Sequence, residues 1–200
     1  MGMSLKLLGV SGSMREGSYS LRALTLALRA AADRGADTSV LDLRLANLPM
    51  YNPDAAPTDA AGHVRRATEA VGWADAFVLA SPDYHGSMSG AMKNFLDYHW
   101  EELTGKLFGY LCASHEKGLT VMDQMRTAVR QCYGWSMPYG VSIHGEHDFD
   151  TAGKLTNART EKRLAMMGRD LTVYGSIIRE QFVADLHTDD PNTFAARYRK

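Results

Sequence analysis

Five short apolar runs, at residues 6–10, 38–43, 76–80, 106–113 and 139–143, alternate along the chain with segments of helical period. Nothing else in the sequence constrains the fold so strongly. Each run is long enough for a buried strand and ends in small or polar residues. The run at 76–80, Ala-Phe-Val-Leu-Ala, is apolar throughout, which suits a strand covered on both faces. Between the runs lie helical segments at 18–34, 58–73, 89–99, 119–133 and 157–178. The first places Leu21, Leu24 and Leu28 on one stripe and stops at Gly35. Strands alternating with helices predict a parallel sheet with helices on both faces. Ligands of such sheets bind outside the carboxyl ends of the strands, at the switch point. The loops after the first, third and fourth strands leave such ends, so they are expected to converge.

The remaining segments are read more simply. Residues 47–57 hold three prolines and form a loop, and residues 145–153 form a polar loop. Residues 179–200 are polar, include Asp189-Asp190-Pro191, and are expected to extend from the fold or form an interface. The 200 residues suit one domain, without internal repeat or linker. Hydrophobic residues make up 45%, charged residues 22%, and the formal net charge is -1. That balance suits a soluble globular protein and lacks the basic footprint of a nucleic-acid binder. No apolar stretch approaches the length needed to span a bilayer. The first residues lack the apolar core and cleavage site of a signal peptide, so a cytoplasmic location is expected. Met1-Gly2 lacks the hydroxyl residue that N-myristoylation requires, because Lys6 stands there. Cys112 and Cys132 sit in apolar contexts and are read as free thiols.

Two loops carry the chemistry. After the first strand comes Ser11-Gly12-Ser13-Met14-Arg15-Glu16-Gly17-Ser18-Tyr19-Ser20. A phosphate monoester needs many donors, and a loop entering a helix offers backbone N–H groups at the positive end of the dipole. The four serine hydroxyls add donors, and Arg15 adds a charge-assisted contact. G-x-G-x-x-G and G-x-x-x-x-G-K-[ST] are both absent. The same residues also suit an ordinary strand-to-helix turn with Ser18 as its cap. The second loop, Ser81-Pro82-Asp83-Tyr84-His85-Gly86-Ser87, combines a rigid proline, two planar side chains and a glycine. It can present backbone amides and an aromatic face to a flat heterocycle, or serve as a long strand–helix connection.

Together these loops resemble those of the NADPH-dependent FMN reductase family, which includes related quinone, chromate and azo-dye reductases. The G-S-x-R-x-x-S loop of that family reads Gly12-Ser13-Met14-Arg15-Glu16-Gly17-Ser18 here. Its P-x-Y-[NH]-G-S loop reads Pro82-Asp83-Tyr84-His85-Gly86-Ser87, followed by Lys93-Asn94. The resemblance covers roughly residues 5–145 and implies a flavodoxin-like three-layer α/β sandwich with a five-stranded parallel sheet. It implies FMN phosphate held by Ser11, Ser13, Arg15, Ser18 and Ser20, with Tyr19 among the cofactor-binding residues. It implies ring contacts from Pro82, Asp83, Tyr84, His85 and Gly86, and from Ser114, Glu116, Lys117 and Gly118 after the fourth strand. The family commonly has a Gly-rich third loop, whereas this one carries His115-Glu116-Lys117, which bears on nicotinamide access and acceptor choice.

The activity so implied is hydride transfer from NADPH or NADH to bound FMN, then electron transfer to a small-molecule acceptor such as a quinone, flavin, azo compound or metal ion. No acid–base triad is expected, because the flavin carries the chemistry. His85 is read first as a packing residue and second as a proton donor. A flavodoxin-like electron carrier or a flavin-binding sensory module is the alternative, but flavodoxins are usually strongly acidic. The family also implies a homodimer or homotetramer. Trp73, Trp100 and Trp135 are read as core or interface residues, with Tyr98, His99 and Trp100 placed at a subunit interface. Arg126 and Arg130 are read as a solvated helix face before a 2′-phosphate site. His144, Glu146, His147, Asp148 and Asp150 are read as a solvated loop, with no metal site.

Overall fold

The computed structural model describes residues 4–54 and 61–198. In chain order the elements are β1 (Lys6–Ser11), α1 (Tyr19–Ala32), β2 (Asp37–Asp42), α2 (Leu43–Ala46), α3 (Ala61–Trp73) and β3 (Ala76–Pro82). They continue with α4 (Gly90–Asp97), β4 (Leu107–Ala113), α5 (Leu119–Gln131), β5 (Trp135–Ser136), β6 (Val141–Ile143), α6 (Gly145–Asp148) and α7 (Ala158–Leu186). Short 3-10 turns occupy Glu101–Leu103 and Phe194–Tyr198. The start expected for the second helix, at Thr58, lies outside the described residues, as do 55–57 of the proline loop. Met1-Gly2 lies outside them too.

The strands form one parallel sheet in the order β2-β1-β3-β4, with β5 and β6 both paired to β4. This is the expected flavodoxin-like arrangement. The fifth strand position is filled by two short pieces rather than by one run over 139–143. Met137 N still donates to Phe108 O at 2.8 Å, but the register against β4 shifts by two residues between Phe108↔Ser136 and Leu111↔Val141, so the pairing is interrupted. Tyr139 packs against the core beside α7, and its hydroxyl donates to Asp170 Oδ2 on that helix at 2.8 Å.

The sheet's two faces are built differently. Toward α1 and α7 the central strands present small residues, with Ala76, Val78 and Ala80 from β3 and Gly9 and Gly109 beside them. A Cβ on Gly9 would lie 2.7 Å from Leu28 Cδ1, so only hydrogen lets α1 sit so close. The opposite face carries Phe77, Leu79, Phe108 and Tyr110 against α3, α4 and α5. Phe77 and Phe108 stack there at 4.6 Å between ring centroids. Alternate residues of each strand thus feed two cores, so the strands read as continuous apolar runs.

The C-terminal segment departs from the sequence expectation. Helix α7 runs past residue 178 to Leu186, held where Arg179 Nε donates to Asp75 Oδ1 at 2.8 Å. The chain then folds back, and Phe194 packs on Phe182 and Tyr133, with Ala195 fully buried. The polar pattern concealed this return because its aromatic contacts come from the widely spaced Phe182, Phe194 and Tyr198. His99 is likewise buried rather than available at an interface. Its Nδ1 donates to Phe95 O at 2.8 Å, and burial lowers its pKa. Trp100 beside it is 62% exposed and Trp135 is exposed, while Trp73 packs against the core. Both cysteines are free, and burial pushes the Cys112 thiol up to about 12.

Two predictions follow from the packing. Gly168 lies where α7 crosses α1, and a Cβ there would collide with Ala27 O and sit 2.8 Å from Ala31 N. Backbone atoms cannot step aside, so Gly168→Ala is expected to lower stability by about 1–2 kcal/mol in urea unfolding, despite alanine's better helix propensity. Lys106 is mostly buried, with Nζ donating to Val71 O at 2.9 Å, and burial lowers its pKa to about 8 from 10.5. The unfolded chain therefore binds more protons between those values, and stability rises with pH through the window. The Lys106→Met variant is expected to flatten the rise measured between pH 8 and pH 9.5.

Candidate functional site

At the carboxyl ends of the strands, β1 and β3 lead their chains to opposite sides of the sheet, and a crevice opens between the departing loops. Two hydrogen bonds fix its floor. Gly12 N donates to Ala80 O at 2.8 Å, and Ser89 Oγ donates to Gly12 O at 2.6 Å. Ser89 Oγ also accepts from Met92 N at 3.1 Å, capping α4. A Cβ on Gly12 would lie 2.9 Å from Met92 Cβ, so the first loop can reach α4 only with glycine there.

The resulting cavity has a volume of about 490 Å³ and four walls. The first is the serine loop. Ser18 caps α1, its Oγ accepting from Leu21 N at 3.2 Å and lying 3.3 Å from Ser20 Oγ. Ser13 Oγ accepts from Arg15 N at 3.2 Å. Ser13, Ser18 and Ser20 are buried, while Arg15 is exposed on the rim. The wall therefore offers hydroxyls, loop amides and the positive end of a fourteen-residue helix.

The second and third walls are tied together by one carboxylate. Asp83 Oδ1 accepts from Gly86 N at 2.8 Å, and its Oδ2 accepts from Ser114 Oγ at 2.9 Å. Its own N–H donates to Ala113 O at 2.8 Å. These bonds close a tight turn in which His85 and Gly86 both have positive φ, 58° and 76°. Tyr84 is 50% exposed at the cavity edge. From α5, Gln124 Oε1 accepts from Ser87 Oγ at 2.9 Å and from Met88 N at 3.1 Å.

The fourth wall is the segment 144–151, read from sequence as a solvated loop. It carries the short helix α6 and turns back over α1. Asp148 is buried at its centre, accepting from His144 N at 2.7 Å, Asn157 Nδ2 at 2.7 Å and Thr160 Oγ1 at 3.2 Å. His144, Gly145, Glu146, His147, Asp150 and Thr151 all line the cavity. Nothing local in the sequence marks this return. The available signal was position, since the segment follows the carboxyl end of the last strand, where loops converge.

Of the residues expected at the site, Ser13, Arg15, Ser18, Tyr19, Ser20, Pro82, Asp83, Tyr84 and Ser114 line this cavity. Ser11, His85, Gly86, Glu116, Lys117 and Gly118 do not. Ser11 ends β1, and its Oγ is buried without a hydrogen-bond partner among the described residues. Gly118, at φ 58°, opens α5 under Cys112, where a Cβ would overlap the sulfur. His115 and Arg22 line the cavity without having been expected there. Arg126 pairs with Asp123 at 2.7 Å and covers the Tyr110 ring, and neither it nor the exposed Arg130 borders the cavity. Among the described residues no group of three or more histidine, cysteine or acidic side chains is placed to hold a metal.

The family model for NADPH-dependent FMN reductases matches residues 5–148. A Pseudomonas aeruginosa NAD(P)H-dependent FMN reductase is 36% identical over 98 residues, 49% of this chain and 51% of that protein. An NADPH azoreductase of a Bacillus species is 32% identical over 109 residues, covering 53% and 61%. The aligned region thus spans about half to three-fifths of these relatives' length. Among solved structures, an NAD(P)H:(acceptor) oxidoreductase from Paracoccus denitrificans superposes with a TM-score of 0.72 at 20% identity, over 86% of this chain and 98% of that one. At that identity the likeness concerns the fold.

Ser89 joins the two central loops, so its loss is measurable. Ser89→Ala leaves Gly12 O and Met92 N unpaired in a buried place and is expected to cost about 1–3 kcal/mol in denaturant unfolding.

Proposed function

The chain belongs to the NADPH-dependent FMN reductase family, and we propose that it binds FMN in the four-walled cavity and passes electrons from NADPH or NADH to a small-molecule acceptor. The observation that carries this reading is the donor set at the switch point: buried hydroxyls of Ser13, Ser18 and Ser20, Arg15 on the rim and the N-terminus of α1. A dianionic phosphate monoester matches that set. Two buried polar atoms at this end of the sheet, Ser11 Oγ and His144 Nδ1, also have no hydrogen-bond partner among the described residues.

The flavin, when bound, supplies hydride acceptance and onward electron transfer. The chain's own residues position it. Serine hydroxyls, the α1 amides and Arg15 hold the phosphate, with Tyr19 alongside. The turn 82–86, stiffened by Pro82 and by the Asp83 carboxylate, sets the ring. Ser114 joins that turn to the third loop, where Glu116, Lys117 and Gly118 follow. Ser11 at the end of β1 completes the proposed set. The exposed turn at Tyr84 and His85 leaves room for the nicotinamide and then the acceptor to enter in succession.

The assembly we propose is a homodimer or homotetramer, for which the exposed Tyr174 and Ile177 of α7 supply apolar surface. Among the described residues no helix is long and apolar enough to cross a membrane. The cytoplasm is the proposed location, and the net charge of -1 suits small-molecule partners rather than nucleic acid.

The test is an absorbance spectrum of the purified protein after incubation with FMN, repeated anaerobically with NADPH and with NADH. Bound-flavin bands that bleach are the expected result. Bands that persist would identify an electron carrier or a flavin-binding sensory module. Absence of any bound flavin would remove the proposal.

A further inference from the structure

The segment 144–151 contributes a wall to the cavity that the reading above leaves without a task. Its histidines are grouped. The His144 and His147 rings lie 4.2 Å apart, and His115 meets His144 at 6.0 Å, both pairs edge to face. His144 Nδ1 is buried and makes no hydrogen bond among the described residues. Buried polar atoms are almost always paired, so an unpaired one at the edge of a ligand cavity calls for a partner.

The orientation of this wall identifies which part of a ligand it meets. It is pressed against the first turn of α1. A Cβ on Gly145 would lie 2.9 Å from Tyr19 Cε2, and Phe149 packs on the Tyr19 ring at 5.6 Å. Gly153 lies so close to Arg22 that a Cβ would overlap the guanidinium. The same turn carries Ser18 and Ser20, so the histidines stand beside the anion-binding donors. The acidic groups of the wall are accounted for in part. Asp148 is fully engaged, and Asp150 Oδ1 accepts from Lys154 N at 2.8 Å. Glu146 and, from the serine loop, Glu16 also border the cavity, as do the cations Arg15 and Arg22.

We propose that His144 and His147, backed by His115, bind the phosphate group of FMN alongside the serine loop. The proposal rests on reading the cavity as an FMN site. Phosphate recognition is then two-walled: α1 offers hydroxyls and amides, and His144 and His147 offer imidazole N–H groups on a segment whose backbone Asp148 holds at His144 N. Closing the anionic end between rigid walls selects the phosphorylated flavin over riboflavin.

The experiment titrates apoprotein with FMN and, separately, with riboflavin, following flavin fluorescence, for the wild type, His144→Ala and His147→Ala. His147 is exposed, so its removal leaves the packing intact. Each variant is expected to raise the Kd for FMN about tenfold, the size of one hydrogen bond to a charged group, with the Kd for riboflavin unchanged. An unchanged FMN Kd in both variants overturns the proposal. So does a proportional loss for both flavins, which would assign the wall to the ring or to loop integrity. A wild type that binds FMN no more tightly than riboflavin overturns it as well. A wild type that binds neither flavin removes the underlying reading too.

Discussion

The parallel pairing of β1 with β3 is the contact on which the rest of the structure depends. It runs from Leu7 against Ala76 to Ser11 against Ala80 and ends in the bond from Gly12 N to Ala80 O. Beyond it the two chains part, one entering α1 and the other α4, on opposite faces of the sheet. Every wall of the cavity is measured from that parting. Ser89 keeps it from widening, because one hydroxyl both caps α4 and grips the carbonyl of Gly12. A parallel strand pair must be bridged by long crossovers, so its carboxyl ends collect loops by construction. The site is a consequence of that rule.

The pairing holds only because each face accommodates its helices. On one side glycine and alanine let α1 and α7 lie close to the sheet, and Gly168 lets those two helices touch. On the other side stacked Phe77 and Phe108 fill a thicker layer beneath α3, α4 and α5. The close approach of α1 has a direct effect on the site. It brings the first turn of that helix, with Ser18, Tyr19 and Ser20, under the returning segment 144–151. Packing in the core therefore sets the width of the cavity several residues away.

Two carboxylates hold the loops in place, and both work by accepting hydrogen bonds. Asp83 joins the turn after β3 to the loop after β4, and Asp148 gathers the segment after β6 onto the start of α7. Each spends its lone pairs on fixed donors within the protein, which makes irregular backbone behave as a rigid wall. Such a site suits a cofactor that brings its own reactivity, where the protein's task is to bind and orient. Atoms left unpaired among the described residues, such as His144 Nδ1, stand out against this background of satisfied groups.

Much of this was legible in the sequence. Apolar runs at 6–10, 76–80 and 106–113 marked the central strands because residues covered on both faces must all be apolar. Ser18, Ser89 and Asn157 marked helix starts because their side chains satisfy amides that a helix leaves open. The serine loop and the turn 82–87 were visible because their residue types serve local geometry. The sequence did not show that the last strand position would be split by a two-residue shift of register, or that Phe182 and Phe194 would draw the C-terminus back onto the fold. It did not show that the polar segment 144–151 would become a wall of the cavity. Those outcomes rest on contacts between residues far apart in the chain, Tyr19 with Phe149 and Arg22 with Gly153. Local pattern reports how a segment meets water and its own backbone. Only the assembled sheet, by deciding how near α1 lies to β1, decided which loops share a space.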